Sequence, residues 1–166
     1  MTRAPRIAVE RSNPAAVSRA LWKGLVAFNR QAVGRLRYSR KVVTVRGENG
    51  RLLGGLILES YLRESYVELL WLSAAVRGAR VGSRLLQEGE RLARERGSVL
   101  IHLNTYSFQA PRFYEKYGYR RFGSLAGSPA AGKRFFYVKA LSGPTRATSR
   151  GQAPRQRAPR RPASLR

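Results

Sequence analysis

Two adjacent stretches decide the fold: the apolar run Glu68–Leu72 (ELLWL), and Arg77–Gly82 (RGARVG), which leads into a segment with apolar residues at every third or fourth position. This spacing predicts an amphipathic helix with Gly97 just past its end. Because the first N–H groups of a helix lack intrahelical partners and carry the positive end of its dipole, the turn predicts a phosphate site, and Gly82 would let the phosphate approach closely. A plain tight turn fits the same pattern. The predicted buried face of the helix comprises Val81, Leu85, Leu86, Leu92 and Ala93.

The chain is strongly basic, with 33 Lys plus Arg against 9 acidic residues, all of them Glu, and a net charge of +24. Residues 143–166 contain 7 Arg and no acid, so the rest of the chain carries +17. Such a charge favours anionic partners, with phosphates the first candidates. An arginine-rich coding bias that leaves most of these side chains merely solvated explains the charge equally well.

The length of 166 residues suits one well-buried core. Beyond Leu141 the sequence has no apolar periodicity, so we expect one domain over residues 1–141 and a disordered tail over residues 142–166. The chain has no Cys and a single His, His102, which disfavours a metal site. Because no apolar signal segment is visible and the run Leu52–Leu58 is too short to cross a bilayer, we expect a cytoplasmic protein, as a monomer or a homodimer.

The N-terminal third predicts a strand and a helix. Ile7–Arg11 alternates between apolar and polar residues as a strand does, and Asn13 followed by Pro14 is typical of a helix start. Residues 30–40 are basic and contain glycine, which predicts a loop or a short second helix beside a binding site. The expected buried stripe of the first helix comprises Val17, Leu21, Gly24, Leu25 and Phe28.

The remaining segments predict a mixed α/β sheet. Hairpins that turn at Gly47–Gly50 (GENG) and at Arg63 and Glu64 lead into the strand that contains Glu68–Leu72. Val99–Leu103 is apolar throughout and follows the central helix, so a helical crossover makes it a parallel neighbour of that strand. The last predicted elements are a short helix and an antiparallel strand pair, at residues 109–118, 120–125 and 134–141.

With this order of elements, two motifs give the chain a resemblance to the GNAT superfamily of N-acyltransferases over about residues 5–141. The family's acyl-CoA motif is Gln or Arg, two residues, Gly, one residue, then Gly or Ala; Arg77 and Gly82 match it, and Arg80 replaces its first glycine. The later stretch Ala110–Tyr119 is similar to a helix of the family, and Thr105–Ala110 resembles one bacterial branch of it. The matching residues of that helix are Ala110, Phe113, Tyr114, Lys116, Gly118 and Tyr119.

The resemblance implies a largely antiparallel sheet of about six to seven strands flanked by helices. In it, the parallel strands Glu68–Leu72 and Val99–Asn104 would splay apart and form a cleft for acetyl-CoA. The main chain of Leu70, Trp71 and Leu72 would then bind the pantetheine arm, and an N–H there would polarise the thioester carbonyl. The residues expected to bind the remainder of CoA are Arg77, Gly78, Ala79, Arg80, Val81, Gly82, Ser83 and Ser107.

The resemblance also implies two catalytic candidates. Tyr114 occupies the position of the family tyrosine that protonates the departing thiolate, although it could simply be a tyrosine that packs a helix. Glu68 is the best-placed acid for a general base, acting directly or through a water. A carboxylate paired with an arginine is the stronger interpretation of Glu68, His102 fits a sheet residue better than a base, and the amine could also arrive deprotonated.

The function expected on this basis is transfer of the acetyl group of acetyl-CoA to a primary amine, by direct attack in a ternary complex and without a metal. The alternative is a basic nucleic-acid-associated protein, with contact through its arginine-rich tail and vestigial or regulatory CoA binding. The basic body should repel a polycationic acceptor, so a weakly charged or acidic acceptor fits better unless Glu59, Glu64 and Glu68 cluster at the cleft mouth.

Overall fold

One mixed sheet of six strands, in the order β1-β2-β3-β4-β6-β5, forms the centre of the molecule. The computed structural model describes residues 5–35, 37–127, 130 and 132–141. The elements in chain order are α1 (Pro14–Val33), β1 (Tyr38–Arg46), β2 (Leu52–Tyr61), β3 (Glu64–Leu72), a 3-10 turn (Ala74–Val76), α2 (Val81–Glu95), β4 (Leu100–Tyr106), α3 (Pro111–Lys116), β5 (Arg120–Ala126) and β6 (Lys133–Ala140). β3 and β4 are parallel, and every other neighbouring pair is antiparallel. The predicted mixed sheet with one parallel pair is therefore confirmed.

Both predicted hairpins form. In the first, Gly50 adopts a left-handed φ of +75° and donates its N–H to the carbonyl of Gly47 at 2.9 Å, a conformation that glycine reaches without strain. In the second, Leu62 takes a φ of +55° between β2 and β3. The two turns place β1, β2 and β3 side by side in the order of the chain.

The core lies between α2 and one face of the sheet. Leu56, Leu86, Ile101 and Tyr137 are completely inaccessible to solvent, and burial of each such side chain stabilises the fold by about 1.5–3 kcal/mol. Close approach of α2 to β2 depends on Gly89, because a Cβ there would lie 3.0 Å from Leu56 Cδ1. The predicted apolar face of α2 thus packs inward as expected, with Val81 and Leu92 at its margins.

A buried ion pair joins α2 to β6. Glu90 is almost fully buried, and its carboxylate accepts two hydrogen bonds from Lys139 Nζ, at 2.7 and 2.8 Å, and one from Arg94 at 3.2 Å. A buried carboxylate without a partner would be strongly destabilising. Lys139 therefore fixes the position of α2 against β6, which lies next to β4 on the side away from β3.

Two predictions for the N-terminal region are wrong. Residues 5–11 form no strand, since Ile7 is 99% exposed and no neighbour in the described residues pairs with this segment. Asn13 caps α1 as predicted, by accepting the N–H of Ala16 at 3.0 Å. The apolar stripe of α1 is not buried, however, and Leu21 and Phe28 are 70% and 68% exposed.

α1 lies on the face of the sheet opposite α2, and few of its side chains contact the sheet. Trp22 packs edge-on against Tyr38, with ring centroids 6.3 Å apart, and Asn29 Nδ2 donates to the hydroxyl of Tyr61 at 3.1 Å. Between α1 and β1 the described residues form no second helix, because α1 itself continues to Val33. No helix in the described ranges has both the length and the hydrophobicity that a bilayer span requires. The predicted tail, residues 142–166, lies outside the described residues.

Candidate active site

The parallel strands β3 and β4 separate part-way along their length. They pair from Glu64 opposite Leu100 to Val67 opposite Leu103, and no pair follows. The register of β2 against β3 shifts at the same point, where Leu58 faces Val67 and Ile57 faces Leu69. Glu68 is therefore the extra residue of a β-bulge, which bends β3 away from β4.

The separated strands enclose a cavity of about 990 Å³. Because β3 has lost β4 as a partner beyond Val67, the main-chain groups along this edge are free to bind an extended ligand. The predicted site residues that line the cavity are Glu68, Leu70, Trp71, Leu72, Arg77, Gly78, Arg80, Val81, Gly82, Ser83 and Tyr114. Ala79 and Ser107 do not line it; the hydroxyl of Ser107 accepts the N–H of Lys133 at 3.1 Å instead.

The turn before α2 forms the basic end of this cavity. Arg77 Nε donates to the carbonyl of Leu72 at 3.1 Å, which ties the turn to the end of β3. Gly78 has a φ of +83°, and Arg80, directly before α2, has a φ of +57°. The left-handed conformation at position 80 explains why the family motif has glycine there, and this chain keeps the conformation with an arginine. The first turn of α2 carries no acidic residue, so its N–H groups and the two arginines present only positive charge to the cavity.

Gly82 and Ser83 lie in the first turn of α2. A Cβ at Gly82 would lie 3.5 Å from Leu72 Cδ1 and 3.5 Å from Phe113 Cζ, which is an ordinary contact distance. The protein itself therefore leaves room for a methyl group, and the expected need for glycine beside a phosphate stays a prediction. The hydroxyl of Ser83 is hydrogen-bonded to that of Tyr117. The main-chain N–H is therefore the group of Ser83 that is left to bind a ligand in the cavity.

Tyr114 both packs a helix and reaches the cavity. It is 8% exposed, and its ring lies 5.1 Å from that of Phe113 and 5.9 Å from that of Tyr119, measured between centroids. Burial raises the pKa of the Tyr114 hydroxyl, so the phenol holds its proton at neutral pH. The structure thus brings a protonated hydroxyl to the same cavity as the free edge of β3.

Glu68 is paired with an arginine. Arg40 of β1 approaches its carboxylate at 2.7 Å and that of Glu59 at 3.9 Å. This is the alternative that the sequence favoured for Glu68, and the role of general base stays a prediction. His102 points to the face of the sheet opposite α2. There its ring stacks on that of Tyr66, with centroids 5.0 Å apart, and burial lowers the pKa of His102.

Sequence reasoning missed several polar residues that line the cavity, among them Asn104 and Gln109. Asn104 donates to the hydroxyl of Tyr66 at 2.6 Å and accepts from Arg134 at 2.7 Å. The Oε1 atom of Gln109 accepts from the Thr105 hydroxyl at 2.8 Å and from the Tyr106 N–H at 2.9 Å, which fixes the turn between β4 and α3. The available signal for Asn104 was its position, since polar residues that directly follow an apolar strand often line a site.

Comparison with known proteins identifies the family. The model of a family described as an acetyltransferase (GNAT) domain matches residues 39–121, which run from β1 into β5. The chain belongs to the GNAT acetyltransferase family. It is therefore an enzyme of the transferase class, as the resemblance implied.

Individual proteins that are similar to this GNAT chain are also acetyltransferases. Blasticidin-S acetyltransferase of Streptomyces morookaense is 41% identical over 96 residues, a match that covers 57% of this chain and 71% of the relative. An acetyltransferase of Agrobacterium fabrum is 32% identical over 111 residues, which cover 67% of this chain and 81% of the relative. The crystal structure of an acetyltransferase from Bacillus cereus has a TM-score of 0.70 at 28% identity, with 81% of this chain and 97% of that chain covered.

Proposed function

We propose that this GNAT enzyme transfers the acetyl group of acetyl-CoA to a primary amine by direct attack of the amine on the thioester. The observation that carries the proposal is the separation of β3 and β4 at the Glu68 bulge, because it places a free strand edge, a basic helix start and Tyr114 around one cavity. GNAT acetyltransferases use acetyl-CoA as the donor, and these groups suit its pantetheine, pyrophosphate and thioester. The chain has no Cys, which excludes an acyl-cysteine intermediate.

The parts of the cavity would divide the binding of acetyl-CoA between them. The free edge of β3 at Leu70, Trp71 and Leu72 offers main-chain groups other than the Leu72 carbonyl, which accepts from Arg77, to the amide-containing arm. One N–H there offers a hydrogen bond to the thioester oxygen. The turn from Arg77 to Ser83 offers positive charge and unpaired N–H groups to the pyrophosphate. Alignment of amine and thioester in one cavity replaces an encounter in solution and supplies much of the acceleration.

Two side chains would move protons. Tyr114 carries its proton at neutral pH and lies at the cavity, so it can protonate the departing thiolate. Glu68 is an acid on the cavity wall and would accept the proton of the incoming ammonium group. The ion pair between Glu68 and Arg40 must loosen for this step, because the guanidinium of Arg40 and the ammonium group of the substrate compete for the same carboxylate.

Release of free thiol from acetyl-CoA, measured across a panel of amines with a reaction lacking amine as the control, tests the proposal. We expect amine-dependent release and an N-acetylated product in the mass spectrum. Tight binding of acetyl-CoA without thiol release from any amine in the panel would refute the assignment as an N-acetyltransferase. Failure to bind acetyl-CoA would refute the assignment of the cavity as well.

A further inference from the structure

A second cavity, of about 170 Å³, lies on the face of the sheet opposite α2. Its walls come from α1 and from four neighbouring strands, and they consist mainly of aromatic rings with two carboxylates. The residues that line it, here called the aromatic cage, are Trp22, Tyr38, Glu59, Tyr61, Glu64, Tyr66 and His102. A cavity of this volume is smaller than the pockets that enclose whole drug-sized ligands, so it suits one chemical group.

Hydrogen bonds hold two of the rings in place through their hydroxyl groups. Tyr38 donates to Glu59 Oε1 at 2.9 Å, and the hydroxyl of Tyr66 accepts from Asn104 at 2.6 Å. The surfaces of the rings thus remain as lining. Aromatic faces attract cations and carboxylates attract them more strongly, and the combination is the arrangement that recognises ammonium groups. His102 does not oppose a cation there, because burial lowers its pKa and leaves the imidazole neutral at neutral pH.

The charge of this region is opposite to that of the chain as a whole. Three of the 9 acidic residues lie on β2 and β3: Glu59 is opposite Tyr66, Glu64 is opposite Tyr61, and Glu68 is the bulge residue. In the described part of the chain, Arg40 is the cation that forms ion pairs with this group, through Glu59 and Glu68. Glu64 forms no ion pair within those residues. The cage therefore offers a local attraction for a cation on a protein that carries +24 overall.

The cage adjoins the large cavity through Tyr66. Its ring lines the cage, and its hydroxyl is bonded to Asn104, which lines the large cavity. Tyr66 also pairs with His102, one position before Val67 and Leu103, which form the last pair between β3 and β4. A ligand could thus occupy the cage with one end and the cleft between the strands with the other.

We infer that the acceptor is an amine that carries a second cationic group, an ammonium or a guanidinium, and that the aromatic cage binds this second group while the amine enters the cleft. This inference rests on the proposed function. It differs from the sequence-based expectation of a weakly charged or acidic acceptor, because Glu59 and Glu64 line the cage and Glu68 lines the cleft.

Binding to the cage can be measured without acetylation. Tetramethylammonium carries the required charge and has no N–H to acetylate, and tert-butanol is a neutral probe of similar shape. The chain has 2 Trp, so in the Trp71→Phe protein Trp22 is the remaining fluorophore. We expect saturable quenching of Trp22 by tetramethylammonium at constant ionic strength and none by tert-butanol, with affinity at least about tenfold lower in Glu64→Gln.

Kinetics test the link to the acceptor. Linear diamines of increasing length, each compared with the n-alkylamine of the same length, should show a kcat/KM at least about tenfold higher for the best diamine. Glu64→Gln should reduce this preference, and Glu48→Gln, in the turn between β1 and β2, should keep it. Circular dichroism of each variant serves as the folding control.

The outcomes separate the two proposals. Acetylation of amines with no preference for diamines, together with no saturation by tetramethylammonium below about 0.1 M, overturns the cage and leaves the acetyltransferase in place. Saturable binding of tetramethylammonium without acetylation of any amine overturns the role of the cage in the reaction. Equal binding by the parent and Glu64→Gln overturns the assignment of the site to these residues.

Discussion

Replacement of Arg80 by glycine should make the protein more stable and its binding of acetyl-CoA weaker. Arg80 has φ and ψ of 57° and 9°, in the left-handed region, where a residue with a Cβ is strained by about 1–2 kcal/mol. Glycine relieves this strain, but its freer unfolded chain offsets about 0.4–1 kcal/mol of the gain. The net stabilisation is about 1 kcal/mol, which corresponds to a rise in Tm of about 2–4 °C for a chain of this length.

The same replacement removes a positive charge from the end of the cavity expected to hold the pyrophosphate. An exposed charge pair contributes a fraction of a kcal/mol to about 1 kcal/mol, so the Kd for acetyl-CoA should rise about two- to fivefold. The increase should shrink as salt is added, because salt screens exposed charges. Thermal unfolding without ligand and calorimetric titration with acetyl-CoA at low and high salt measure the two effects separately.

Arg80→Ala is the matched control, because alanine loses the charge but keeps the Cβ that causes the strain. We expect both variants to lose affinity equally and only the glycine variant to gain stability. A glycine variant no more stable than the alanine variant would show that position 80 is not strained. Parental affinity in both variants would show that the guanidinium does not contact the phosphates.

The remaining predictions concern the site, the core and alkaline stability. Gly82→Asp should weaken acetyl-CoA at least about tenfold in calorimetric titration, because its charge repels the pyrophosphate, and Gly82→Ala should lose much less; equal losses would contradict this. Tyr114→Phe should lower kcat about a hundredfold and keep acetyl-CoA affinity, measured by thiol release; an unchanged rate with chemistry limiting would make Tyr114 structural. Lys139→Met leaves a buried carboxylate of α2 with one weaker partner and should cost about 3 kcal/mol in urea unfolding, whereas Glu88→Gln, on an exposed pair, should change little. Burial and a hydrogen bond to a carboxylate raise the pKa of Tyr137 to about 12, so its contribution to stability should be complete below about pH 10 and disappear as the pH rises towards 12; an equally steep loss in Tyr137→Phe would refute this.

Local sequence patterns were sufficient for the elements that are stabilised by neighbours in the chain. The Gly47–Gly50 turn and the Asn13 cap each depend on short-range geometry, and both form as predicted. The stripe of α1 shows the limit, because periodicity detects an amphipathic helix but does not show what covers its apolar face. The alternation of Ile7–Arg11 has the same limit, since a strand requires a partner edge as well as a pattern.

The candidate site was predictable only where a motif carried it. The turn from Arg77 to Gly82 was found from the helix-start pattern and the family motif, and Tyr114 was found by resemblance alone. All three residues line the cavity. The bulge at Glu68 has only a weak signal, a charged residue within an apolar run. The aromatic cage was not predicted, because the hairpin that holds four of its residues, Glu59, Tyr61, Glu64 and Tyr66, does not show that Trp22, Tyr38 and His102 complete it. The division into a domain and a tail stays a prediction, because residues 142–166 lie outside the described residues.

The shallow contact of α1 with the sheet has a consequence for the order of events at the cage. Its apolar stripe faces solvent, so α1 lacks most of the packing of an apolar face that stabilises helices in proteins. We therefore expect the amides of α1 to exchange with deuterium faster than those of α2, through openings that do not unfold the sheet. Because Trp22 belongs to α1, the cage is complete only in the closed fraction of molecules, and the apparent affinity for a cation is reduced by that fraction. Substitutions that strengthen the docking of α1 would then tighten binding of the acceptor without touching it, and the acceptor in turn would slow the exchange of α1.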